Sequence, residues 1–83
     1  MPTVLRKDGF AFRIYPNDHK PAHVHVIKGG GEVKINLWGS SSNQESPTIV
    51  KIWNMSDKDV VKAYELVTIY RGTLIRSWKE IHD

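Results

Sequence analysis

Three of the four histidines fall within seven residues, in the run Asp18-His19-Lys20-Pro21-Ala22-His23-Val24-His25-Val26. In an extended strand, residues two apart share a face and lie about 6.5–7 Å apart along it. His23 and His25 therefore project together, with Val24 and Val26 turned toward a core. Three kinds of chemistry fit this pattern. The first is acid–base catalysis on RNA without a metal. Histidine titrates near neutrality, so one ring can take a proton from a ribose hydroxyl while another protonates the leaving oxygen. His23, His25 and His19 are the catalytic candidates, and Lys34 can stabilise charge on a phosphate. Arg13, Tyr15 and Lys20 are the candidate nucleic-acid contacts, the tyrosine as a stacking surface.

The second chemistry is metal ligation by His19, His23 and His25, leaving a position open for water as in hydrolytic zinc sites. Asp18 is the only carboxylate close in sequence, and no second cluster of histidine and acid follows, so the leading expectation is a chain without a cofactor. The third possibility is architectural. The histidines hydrogen-bond the connection between Pro16 and Pro21 and hold it against the sheet. A nucleotide-hydrolase histidine triad is disfavoured, because the next position on the same face is Ile27. Gly29-Gly30-Gly31 is not a phosphate loop, since no Gly-Lys-Ser/Thr follows it.

The elements that must position these residues read as α+β: four to five short antiparallel strands in a meander with two tight hairpins, then one long C-terminal helix. Thr3 to Lys7 is the first strand. Asp8-Gly9 supplies the positive-φ pair of a tight hairpin, and Phe10 to Tyr15 returns with Phe12 opposite Leu5. Pro16 to Pro21 is a connection. Ala22 to Lys28 pairs through a Gly29-Gly30 turn with a strand ending at Trp38, which sets His25 against Lys34 and His23 against Asn36. Gly39 to Ser46 is a polar loop, and Thr48 to Trp53 is a last, β-branched strand.

Ser56 caps a helix over about 57–81, with Asp57 and Asp59 in its first turn. Val60, Tyr64, Val67, Leu74, Trp78 and Ile81 form its apolar stripe. Such a helix is roughly 38 Å long, more than a small sheet needs as cover. Gly72 interrupts it at a cost of about 1 kcal/mol relative to alanine. A kink at Gly72 is expected, or a projecting end that offers Leu74, Trp78 and Ile81 to a partner.

Eighty-three residues make a single domain, 1–83, with a modest core. Dimerisation would help such a chain, so a homodimer is among the expected states. No cysteine is present, which excludes disulfides and thiolate metal sites. No signal peptide or membrane-length apolar run is visible, so a cytoplasmic chain without membrane contact is expected. The net charge is +3, and residues 1–38 carry six basic side chains against three acids while the rest balance six to six. The excess lies in the β part, where an anionic partner would be drawn.

Met1-Pro2-Thr3-Val4-Leu5-Arg6, Asp8-Gly9, Asn17-Asp18-His19 and Pro21-Ala22-His23-Val24-His25-Val26, with the closing Ser77-Trp78-Lys79-Glu80, resemble a small prokaryotic family, domain of unknown function 4160. The resemblance covers nearly the whole chain. It implies a bacterial or archaeal protein, often encoded beside a second small protein in a toxin–antitoxin-like pair, and it carries no catalytic residues over. The 39–46 loop and Gly72-Thr73 depart from the family's pattern.

With that context, the leading expectation is an RNA-binding or endoribonuclease-like toxin component, metal-independent if it is an enzyme. Its partners would be RNA and a cognate small antitoxin-like protein. The alternatives are a non-catalytic module that docks a small protein through its sheet edge or helix end, and a histidine-ligated metal-binding domain.

Overall fold

The computed structural model describes residues 3–38 and 46–82. Five strands, β1 (Thr3–Lys7), β2 (Phe10–Arg13), β3 (His23–Lys28), β4 (Gly31–Asn36) and β5 (Thr48–Trp53), precede two helices, α1 (Asp57–Ile69) and α2 (Arg71–His82). Each strand pairs antiparallel with the next, so the sheet is an unbroken meander. Its β2 is shorter than expected, ending at Arg13 and leaving Tyr15 to open the connection. The loop expected over 39–46 lies, apart from Ser46, outside the described residues.

Turn chemistry sets the register. Asp8 and Gly9 take φ of 54° and 86°, the two left-handed positions of a tight hairpin, and Leu5 falls opposite Phe12. Gly29 takes φ of 57° in the second hairpin, which places Val24 opposite Ile35, His25 opposite Lys34 and His23 opposite Asn36. Gly31 is required by space rather than by dihedral. A Cβ there would lie 2.3 Å from the carbonyl oxygen of Asn54, so only glycine admits the approach of the chain leading into α1.

One face of the sheet carries the core. Phe10, Phe12, Ile14, Val24, Val26, Val33, Ile35 and Leu37 are fully buried or nearly so, against Ala63, Leu66, Val67, Leu74 and Trp78 of the helices. Ser56 caps α1 by accepting from the Asp59 backbone N–H at 3.2 Å.

The single helix kinked at Gly72 is corrected to two helices that meet at Tyr70. Its dihedrals, −100° and 17°, leave the helical region, while its N–H still reaches Leu66 and its carbonyl still accepts from Leu74. Tyr70 packs onto the core at this break, whereas nothing crowds Gly72 two residues later.

The projecting helix end is corrected as well. Leu74 and Trp78 are 0% and 5% exposed within the chain's own core, and Ile81 packs against them. Burial of each large side chain contributes roughly 1.5–3 kcal/mol, ample reason for α2 to lie on the sheet rather than extend from it. Among the described residues, no helix is long and apolar enough to cross a membrane.

Candidate metal centre

The opposite face of β3 is also covered, but by polar groups. His23 and His25 project from it, and the connection between Ile14 and Ala22 folds over them. A tight turn sets that connection: the Asp18 N–H donates to the Tyr15 carbonyl at 3.0 Å, and the Tyr15 N–H donates to Oδ2 of Asp18 at 3.1 Å. This turns the Asp18 carboxylate inward, onto the histidines. The Lys20–Pro21 peptide that follows is cis.

Oδ2 of Asp18 lies 3.3 Å from Nε2 of His23 and 3.3 Å from Nε2 of His25. The rings stand 5.1 Å apart at 75°. Each ring is held from behind through its other nitrogen. Nδ1 of His23 donates to the Pro21 carbonyl at 2.8 Å, and Nδ1 of His25 donates to Oε2 of Glu32 at 2.8 Å. A carbonyl and a carboxylate only accept, so both Nδ1 atoms carry the hydrogen. In neutral rings, both Nε2 lone pairs then face a carboxylate oxygen.

His23 is such a ring. It is 4% exposed, with Trp78 at 5.2 Å, and burial pushes its pKa below the ordinary 6.5. The Pro21 carbonyl and Asp18 act in the opposite direction without overcoming that effect, and Lys34 and His25 lower it further. Nε2 of His25 is buried and has no hydrogen-bond partner among the described residues. With both rings neutral, the two Nε2 atoms and the Asp18 carboxylate present three converging acceptors, an arrangement a cation would neutralise.

The geometry suits a small one. Ligand atoms around a tetrahedral ion with bonds of about 2.0–2.1 Å sit about 3.3–3.4 Å apart, the separation of Asp18 from each ring nitrogen. All three ligand atoms lie within 4.8 Å of one another, the one such group among the described residues. Carboxylate and carbonyl acceptors behind ligating histidines are also the usual outer support of a metal site, fixing tautomer and ring direction.

His19 is not a member of this group. It is exposed, because the Tyr15–Asp18 turn directs Asp18 inward and leaves the next residue at the surface. Tyr15 packs edge-on against His25 at 5.0 Å, and Arg13 sits opposite His25 with its Nε buried and unpartnered. Both are half-buried neighbours of His25. Lys34 is half-buried opposite His25, and Lys20 is exposed.

Two members of the cluster are not among the candidate residues the sequence offers. Asp18 was visible only as an isolated acid, since the turn that aims it cannot be seen in composition. Glu32 was accessible in principle: in the hairpin register it is the diagonal neighbour of His25 on the same face, two residues from Lys34.

The family model for a domain of unknown function, DUF4160, matches residues 9–79, and the chain belongs to that family. The match takes in the whole of the site, from Tyr15 to Lys34, and both helices up to Lys79. No curated protein and no solved structure matches the chain.

Proposed function

We propose that this protein is a metal-binding domain that holds one divalent ion, zinc by its ligand set, through Asp18, His23 and His25. One observation carries the reading: the Asp18 carboxylate oxygen lies at tetrahedral spacing from both ring nitrogens, the three atoms fall within 4.8 Å of one another, and both Nδ1 atoms are already engaged. Two histidines and a carboxylate leave the fourth position open, the composition of a hydrolytic centre, where bound water ionises near a pKa of about 7. The metal-independent ribonuclease draws less support. A general acid and a general base must reach substrate, and here both Nε2 atoms face Asp18 while His23 is buried.

The test is metal stoichiometry. Protein stripped by chelator, incubated with zinc and desalted is expected to retain one zinc per chain by elemental analysis. His25→Ala and Asp18→Asn should retain none, while His19→Ala should retain one. Wild-type protein that returns from desalting metal-free would overturn the assignment, leaving His25 between Asp18 and Glu32 as the structural role of the cluster.

A second reading, the docking of a cognate small protein, is favoured by the sheet edge. All six residues of β5 are exposed, Ile49, Val50, Ile52 and Trp53 among them, on a strand that ends the sheet among the described residues. Addition of a partner's strand there predicts a complex that Ile52→Lys weakens and His25→Ala does not. The toxin-like activity suggested by the family resemblance is tested separately, by induced expression of wild type beside a His23→Ala/His25→Ala variant.

A further inference from the structure

A cavity of about 320 Å³ is lined by two of the three ligands, Asp18 and His23, together with His19, Lys20, Lys34 and Asn36. Its charge is unbalanced. Two lysines face one carboxylate, and that carboxylate is a ligand in the metal-bound state. Lys34 pairs with His25 across the hairpin and lines the same cavity as His23 and Asp18, which places it next to the ligand cluster. Asn36, opposite His23 across the hairpin, adds an amide donor. An ion held by Asp18 and the two histidines would raise the positive balance further.

We infer that this cavity binds a phosphate ester, one phosphoryl oxygen at the open metal position and the others held by Lys20 and Lys34. The inference rests on the metal assignment above and names the class of ligand that site takes. Phosphate is favoured over a carboxylate because a tetrahedral dianion offers several oxygens to separate cations at once, and a lysine serves it as a point charge. The cavity lies at the small end of ligand pockets, room for a phosphate and a modest substituent. The same phosphate chemistry is presented by a free monoester and by a nucleic-acid backbone.

The experiment uses zinc-loaded full-length protein, freed of excess metal by desalting, with inorganic phosphate as the probe in calorimetry. Saturable binding is expected at one phosphate per bound zinc. It should weaken about tenfold in Lys34→Ala and further in Lys20→Ala/Lys34→Ala, while Lys58→Ala, on the far helix, binds as wild type does. Loss of Lys34 removes a positive charge near the ligands and so favours the metal. Weaker phosphate binding in that variant is therefore not a consequence of lost zinc, and zinc content measured alongside verifies this.

Competition by a nucleoside monophosphate but not by a short single-stranded RNA identifies a free ester, and competition by both identifies a site open to a backbone. One zinc per chain without lysine-dependent phosphate binding overturns this inference and leaves the metal centre standing. Absence of bound zinc removes both.

Discussion

The two faces of β3 are both covered, the valine face more completely than the histidine face, and by opposite chemistry. Val24 and Val26 face a dry core where each methyl group meets other carbon, and nothing further is needed. His23 and His25, one residue out of phase, face Asp18, Glu32 and a carbonyl, polar partners where the other face meets only carbon. The first face accounts for why the chain folds. The second accounts for why a polar cluster is held beneath a turn that could have been left in solvent.

Breaking the inner face should have the largest effect. Phe12→Ala removes a fully buried ring and is expected to cost about 3–5 kcal/mol by denaturant titration, equally with and without zinc. Breaking the outer face by chelation comes next. With free zinc at about 100 times its dissociation constant, the bound ion contributes about 2.7 kcal/mol. Chelator should therefore lower the thermal midpoint of wild type and leave that of His25→Ala unchanged. Glu32→Gln keeps the shape behind His25 and removes the carboxylate charge. It should weaken zinc binding about 10–100-fold in competition with a chromophoric chelator, with little change in metal-free stability.

The pH response of the metal-free protein sharpens the comparison. The His23 pKa is lowered in the folded state, so the unfolded chain binds more protons below about pH 6.5. Stability is then greatest above the ordinary histidine range and declines as pH falls through it. Urea midpoints at pH 7.5 and 5.5 should differ in that sense, and less so in His23→Gln. The smallest effect is expected at His19, exposed and outside the cluster. Its alanine variant should lie within about 0.5 kcal/mol of wild type and bind zinc normally.

Much of the fold was legible because its signals are local. Asp8-Gly9 and Gly29-Gly30 fix two hairpins, and with them the placement of His25 opposite Lys34 and the separation of the valine face from the histidine face. Where the helix divides was not legible. Gly72 is the weaker helix former, but the interruption falls at Tyr70, where packing onto the core decides. For the same reason Leu74 and Trp78, read as a partner surface, turned out to belong to the chain's own interior.

The site was half legible. Alternation puts His23 and His25 together, but which neighbour joins them depends on a turn. Asp18 and His19 are adjacent in sequence and equally suited to ligate. The hydrogen bond from the Tyr15 N–H to the Asp18 carboxylate selects the former.

The most direct test is X-ray absorption at the zinc edge of the loaded protein. Four nitrogen or oxygen neighbours at about 2.0 Å are expected, with the outer-shell signature of two imidazoles, and in His25→Ala that signature is lost with the metal. A shell of six oxygens without imidazole scattering, or a spectrum unchanged in His25→Ala, would contradict the metal assignment.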